Sequence, residues 1–444
     1  MSCPQRISEA SGIAMNSALN IFSVPPTNVS VVRSYYAEML PLSAIFDQNA
    51  PIQFRLFNDN LWTDLSRIYL QLELSIEKYD AAVANQWVPI VAADNEVGPI
   101  QAIGQTFCQQ LKVQIGNADV YDSGQLYPYR MYLTNELSYA DSVKKSFMAA
   151  NGYRKVEEHD YNNDPGFIAR CQLFAAGRKA QFLSRLDFDL GNQELYMLNN
   201  IDALFSIYRA KDAFLLENLR AADATQYRLV LHSAKLYAKM IDVQPSLNIA
   251  IYSQLERQSA KYSIRRTELR STFLTAGRKE VDYNAFSAAV PRRLTIAFVE
   301  SDAFNGHGKK SPFNFKPFTI RELSVQAGGQ IYPSVPYNFD FDTQHYARGF
   351  VDLYEALGFA NTDRTCGISW KQFASGWTIF VIPLTATLDD SCGFELLRSG
   401  TTSVHAKFTD AIPAGGVEMV VMGEFDQMLI IDYNRRVLMD SHIG

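Results

Sequence analysis

In Leu70-Gln71-Leu72-Glu73-Leu74-Ser75-Ile76-Glu77 every second residue is apolar. Successive side chains of a β-strand point to opposite faces, so this period predicts a strand with one buried and one wet face. The pattern returns in Leu111-Lys112-Val113-Gln114-Ile115, Leu186-Asp187-Phe188-Asp189-Leu190, Leu323-Ser324-Val325-Gln326-Ala327 and Val404-His405-Ala406-Lys407-Phe408. Continuous apolar strands are fewer, at Trp377 to Leu384 and Val417 to Met422. Such alternation suits antiparallel sheets rather than a parallel core covered by helices. Helical spacing is confined to Tyr129, Leu133 and Leu137, to Ala347 and Val351 with Phe350, Tyr354 and Leu357 beside them, and to Leu247 through Ser259. Long polar loops run from Glu157 to Pro165 and from Ala360 to Thr365. The expected class is mainly β, with short helices inserted in loops.

The order of these elements occurs twice. Val113-Gln114-Ile115-Gly116 is followed by a turn, Tyr127-Pro128 and a helical stretch; Val325-Gln326-Ala327-Gly328 is followed by a turn, Tyr332-Pro333 and a helical stretch. Each half continues with a strand, Leu183 to Leu190 against Trp377 to Leu384, and then another, Leu204 to Tyr208 against Val404 to Phe408. The copies lie roughly two hundred residues apart, which reads as two copies of one domain. A chain of 444 residues suits two or three domains. Each half has room for about eight short strands in two packed sheets, a jelly roll. The expected boundaries are an N-terminal arm at 1–21, a first jelly roll at 22–222 and a second at 223–444, joined through the polar stretch Glu217 to Thr225. The edge strands of such sandwiches must be covered, and subunit contacts are one way to cover them.

Composition narrows the function. Apolar residues make up 47% and charged residues 20%, which supplies real cores. Aromatic residues reach 12%, a bias that favours pleated surfaces. The net charge is -6, and the longest basic patches are the pairs Arg265-Arg266, Arg292-Arg293 and Lys309-Lys310. A free nucleic-acid binder would carry a basic stripe, so no sequence-specific nucleic-acid partner is expected. Cys3, Cys108, Cys171, Cys366 and Cys392 are odd in number and widely spaced, which predicts free thiols rather than a disulfide framework or a zinc site. Met1 to Ser11 has no apolar core of signal-peptide length and no run of 18 apolar residues occurs, so the product is expected to be made inside a cell, without secretion or a membrane-spanning helix.

The candidate chemistry reads as bland. Asn305-Gly306-His307-Gly308-Lys309-Lys310-Ser311 invites a phosphate-loop reading, but Ala303 stands where the leading glycine is needed and a lysine where Ser or Thr should follow Gly-Lys. His159, His232, His307, His345, His405 and His442 form no H-x-H or H-x-x-x-H pair of a cupin-type metal site. The carboxylate pairs Asp187/Asp189 and Asp340/Asp342 could share a strand face for acid–base work, but read first as the wet side of a sheet. Trp62, Trp87, Trp370 and Trp377 could stack on sugars but do not cluster, and read as packing residues. The expectation is a protein with no catalytic, cofactor-binding or metal-binding residues, and not an enzyme. The alternative kept beside it is a two-domain glycan- or receptor-binding module.

Phe22-Ser23-Val24-Pro25-Pro26-Thr27 and Ser34-Tyr35-Tyr36 resemble the opening of Polinton (Maverick) capsid proteins. Tyr127-Pro128-Tyr129-Arg130, Ile264-Arg265-Arg266, Pro291-Arg292-Arg293, Asp302-Ala303-Phe304-Asn305-Gly306, Pro312-Phe313-Asn314-Phe315-Lys316, Gly423-Glu424-Phe425-Asp426 and Asp432-Tyr433-Asn434-Arg435 continue the resemblance in the same order. The chain resembles the Polinton major capsid proteins and is similar to the hexon-like proteins of adintoviruses. That resemblance implies a double jelly roll and a homotrimer forming a pseudo-hexameric capsomer. It further implies an icosahedral shell around a double-stranded DNA genome, a separate single jelly-roll protein at the vertices, location in the virion, and no catalytic residues to carry over.

Overall fold

The computed structural model describes residues 8–439, apart from 9, 12–13, 46–49, 81–85, 93, 95, 117, 220–225, 389–392 and 395. The first sandwich contains β1 (Val31–Met39), β2 (Ile52–Phe57), β3 (Trp62–Asp80), β4 (Cys108–Ile115), β5 (Ala118–Asp122), β6 (Ala180–Arg185), β7 (Asp202–Arg209) and β8 (Tyr227–Val243). One sheet runs β1-β8-β3-β6, with Gln86–Pro89 added on β3; the facing sheet runs β2-β7-β4-β5. The second sandwich contains β9 (Ala260–Leu274), β10 (Glu280–Phe286), β11 (Arg293–Glu300), β12 (Ile320–Ala327), β13 (Gln330–Tyr332), β14 (Ile379–Pro383), β15 (Thr402–Phe408) and β16 (Val417–Ile431). Its sheets run β9-β16-β11-β14 and β10-β15-β12-β13. Adding eight to each label of the first sandwich gives the second, so the two halves share one strand order.

The alternation is visible in the burial. In β3, Leu70, Leu72, Leu74 and Ile76 face the core while Gln71, Glu73 and Glu77 stay partly open. The pattern holds for Leu111, Val113 and Ile115 in β4, for Leu323, Val325 and Ala327 in β12, and for Val404, Ala406 and Phe408 in β15. Val417 to Met422 is buried throughout because β16 lies between β9 and β11 and is covered on both faces.

Two sequence expectations are corrected. Leu186 to Leu190 is not a strand: β6 ends at Arg185, a 3-10 turn occupies Asp189–Asn192, and the whole segment is buried. The junction also moves. Tyr227–Val243, assigned to the second half from sequence, pairs antiparallel with β1 (Tyr36 opposite Lys239) and β3 (Leu236 opposite Leu70). It is the eighth strand that the first jelly roll needs between β1 and β3, so the sheets divide after Val243, where helix Pro245–Leu255 follows. Residues 220–225 of the expected junction lie outside the described residues, as does most of 1–13 of the expected arm.

Four longer helices decorate the loops: α1 (Tyr127–Ser138), α2 (Pro165–Phe174), α3 (Pro245–Leu255) and α4 (Ala347–Ala356). Pro128 lies in the first turn of α1, where its missing N–H costs nothing, and the helix is buried on nearly every side. Asp164 caps α2, its Oδ1 accepting from the Gly166 and Phe167 amides at 2.8 and 3.2 Å.

Candidate functional site

The two sandwiches meet along a buried seam. From the first comes α1. From the second comes the stretch after β11, beginning with the short helix Ser301–Asn305 and running on to Lys316. Tyr132 and Phe313 stack with centroids 4.2 Å apart and planes 2° apart. Tyr129 stacks on Phe304 at 4.9 Å, and Phe214 meets Phe313 edge-on at 6.2 Å. Offset or edge-on ring contacts of this kind contribute about 0.5–1.5 kcal/mol beyond the area they bury. Next to them His159 lies 4.3 Å from the Trp377 ring, with its Nε2 3.2 Å from the Tyr132 hydroxyl. Burial, and then the nearby Arg170 and Lys316, hold the imidazole pKa down to about 3, so His159 is neutral.

Polar contacts border the rings. The Asn218 amide donates to the Gly308 carbonyl at 2.7 Å, and the Asn314 side chain donates to Asp160 at 2.6 Å. The Ser311 amide donates to the same Asp160 carboxylate. Lys144 is buried; it pairs with Glu136 at 2.7 Å and donates to the Cys366 carbonyl of the second sandwich at 2.9 Å. Buried Arg170 and Glu217 pair at 2.9 Å. At the far end Arg435 donates to the carbonyl and side-chain oxygen of Asn199 at 2.9 and 3.1 Å, with its guanidinium over the Tyr252 ring.

Asp187 and Asp189 belong to this seam, not to a wet sheet face. Arg130 of α1 lies 2.8 Å from each carboxylate, and all three side chains are buried. Asp189 also accepts from the Thr267 amide of β9 at 3.2 Å, which ties the cluster to the second sandwich. Burial raises the Asp189 pKa against the pull of Arg130. Burial likewise disfavours the Arg130 charge, but Tyr121, Asp189 and Asp187 around it outweigh that and hold it protonated. The sequence signal was Arg130 itself: a cation at an inner position of a buried helix needs anions.

The glycine-rich loop is explained by the same seam. Gly306 sits at φ 99°, and a Cβ there would lie 2.7 Å from the Phe214 backbone nitrogen. A Cβ at Gly308 would lie 2.1 Å from the Asn218 side chain. Both glycines let the second sandwich's backbone touch the first.

The remaining sequence candidates are scattered. His232 bonds Ser75 at 2.8 Å, His345 bonds Thr343 at 3.2 Å, and His405 pairs with Asp282. His442, Cys3 and Cys392 lie outside the described residues. Among the described residues no three His, Cys, Asp or Glu side chains gather as a metal site. Cys108, Cys171 and Cys366 are buried and form no disulfide among the described residues. Asp340 and Asp342 are exposed in a turn, where Asp340 accepts from the Thr343 amide at 3.2 Å. Trp62 donates to Asn248 at 3.2 Å, Trp87 packs under Arg228, Trp370 stacks on Tyr346 and Trp377 lies against His159. Arg266 pairs with Glu268 at 2.8 Å, Arg293 pairs with Glu424, and Lys310 lies 2.6 Å from both Glu300 and Asp302. No helix among the described residues is long and apolar enough to cross a membrane.

Two jelly rolls of one strand order in one chain, joined side by side through a buried seam, define a double jelly-roll protein. This is the fold of viral major capsid proteins. A chain of the Sputnik virophage superposes with TM-score 0.65 at 12% identity, covering 99% of this chain and 94% of that one. The mavirus major capsid protein superposes with TM-score 0.59 at 10% identity (99% and 97% covered), and the Faustovirus major capsid protein with 0.56 at 9% (94% and 92%). The Caenorhabditis elegans protein F54H12.2 is 28% identical over 425 residues, spanning 94% of this chain and all of that one. No protein-family model matches the sequence.

Proposed function

We propose that the chain is a major capsid protein of the Polinton type. Three copies close into a capsomer, and capsomers tile an icosahedral shell around double-stranded DNA. The observation that carries the reading is the packed pairing of two sandwiches of one strand order. A trimer of such a chain presents six similar lobes, and one interface repeated around a three-fold axis closes it. The buried seam fits that role, because a tile whose halves hinged against each other could not hold a lattice. The motifs shared with Polinton proteins support the same reading: Tyr129 and Arg130, Phe304 to Gly306, Phe313 to Phe315 and Arg435 all lie at the seam. The partners are further copies of this chain and a single jelly-roll protein at the five-fold vertices; the role is structural, in the virion, without catalysis. Sedimentation of the purified protein tests the first step: a trimer at micromolar concentration is expected, and a monomer alone contradicts it.

A further inference from the structure

From Ala10 to Val32 the chain carries no charged residue, although it includes Ile21, Phe22, Val24, Val29, Val31 and Val32. Before β1 this segment leaves the first sandwich: Ser30 still accepts from the Gln244 amide at 3.0 Å, but Ile21, Phe22 and Val24 are 75%, 93% and 88% exposed. An uncharged stretch presenting large apolar side chains to water marks a surface that another surface covers.

The second sandwich offers a matching groove. β9 and β10 end their respective sheets, each pairing on one side only among the described residues. Between these two edges opens a groove of about 690 Å³, with Arg266, Glu268 and Arg270 along its β9 wall and Tyr283, Phe286 and Phe425 among the aromatic residues facing them. Phe394 and Leu397 are 43% and 56% exposed at its rim. A terminal strand beside a groove with an aromatic wall suits an extended peptide, whose backbone pairs with the outer edge of β10 while alternate side chains enter the groove. Pro25 and Pro26 favour an extended arm.

We infer that the arm around Phe22 of one copy seats in the groove between β9 and β10 of a neighbouring copy. The inference rests on the capsomer reading: in a closed ring of identical two-lobed subunits the first sandwich of one copy abuts the second sandwich of the next, so an arm leaving the first sandwich has a second sandwich within reach. The arm would cover an edge of the second sandwich at which both sheets end among the described residues.

The test places a photo-reactive benzoylphenylalanine at position 22 of the full chain and assembles it from a mixture of 15N-labelled and unlabelled copies. At 93% exposure this position tolerates the change without disturbing a core. Expected are cross-links from position 22 to peptides containing Tyr283 to Ala289 or Phe425 to Met428, joining labelled to unlabelled chains. Cross-links confined to single chains, or reaching other surfaces, overturn the inference. Sedimentation of the same sample separates the two levels: a trimer without the cross-link overturns the arm assignment alone, whereas a monomer overturns the capsomer reading with it. In the Phe22→Ser chain the trimer's dissociation constant is expected to rise at least tenfold; an unchanged constant counts against the inference.

Discussion

Tyr132 of the first sandwich lies face to face with Phe313 of the second, 4.2 Å between centroids and 2° from parallel. Both rings are buried, so the contact is a joint between the two jelly rolls rather than a surface touch.

Removing one ring tests that joint. Phe313→Ala is expected to destabilise the protein by about 3–5 kcal/mol, the usual cost of an emptied aromatic site. A double-mutant cycle with Tyr132→Leu should yield a coupling of about 0.5–1.5 kcal/mol in chemical denaturation. Strict additivity would show that the rings do not act on each other.

The Arg130 cluster makes a second prediction. Arg130→Met strands two buried carboxylates and should cost about 3–5 kcal/mol. Adding Asp187→Asn and Asp189→Asn should recover part of the loss, because neutral amides no longer need a cation. A triple variant no more stable than the single one would contradict the pairing.

Acid should loosen the seam through His159. Its folded pKa of about 3 lies below the ordinary 6.5, so the unfolded chain binds a proton that the folded chain refuses. Stability from this group is therefore complete above pH 6.5 and is lost as pH falls toward 3, reaching about 3 kcal/mol by pH 4. Buried Asp189, Glu217 and Asp160 act oppositely, since burial raises their folded pKa values and acid relieves them. Comparison of the wild type with His159→Gln isolates the histidine: the variant's urea midpoint should fall less between pH 6.5 and 4. Parallel profiles would show that the imidazole is not held neutral.

The N-terminal arm predicts a separation of folding from assembly. Those of residues 1–24 that are described bury little apolar surface, so on deletion of 1–24 both sandwiches should keep their unfolding transitions while shells become scarce in electron micrographs. Intact shells at wild-type yield would contradict this.

Much of the fold is legible in the sequence because period-2 burial is a local property. Leu70 to Ile76, Leu323 to Ala327 and Val404 to Phe408 each reveal their inner face without reference to a partner strand. The repeated order then gives the duplication. Pairing is not local, and there the sequence misled: Tyr227–Val243 alternates equally well whichever sandwich receives it, and the polar stretch before it is the connection between β7 and β8 rather than a linker. Asp187 and Asp189 misled for a related reason. Their alternation with Leu186, Phe188 and Leu190 imitates a strand, and only the position of Arg130, far away in sequence, turns the carboxylates inward. The role of Gly306 and Gly308 was likewise invisible without the opposing backbone of Phe214 and the side chain of Asn218.

The central claim is that three two-lobed subunits build one capsomer. Cryo-electron microscopy of the purified 50.0 kDa chain tests it most directly. The account predicts three-fold particles with six similar lobes around the axis, some joined into curved sheets or closed shells. Isolated two-lobed particles at micromolar concentration, with no three-fold class, would contradict it.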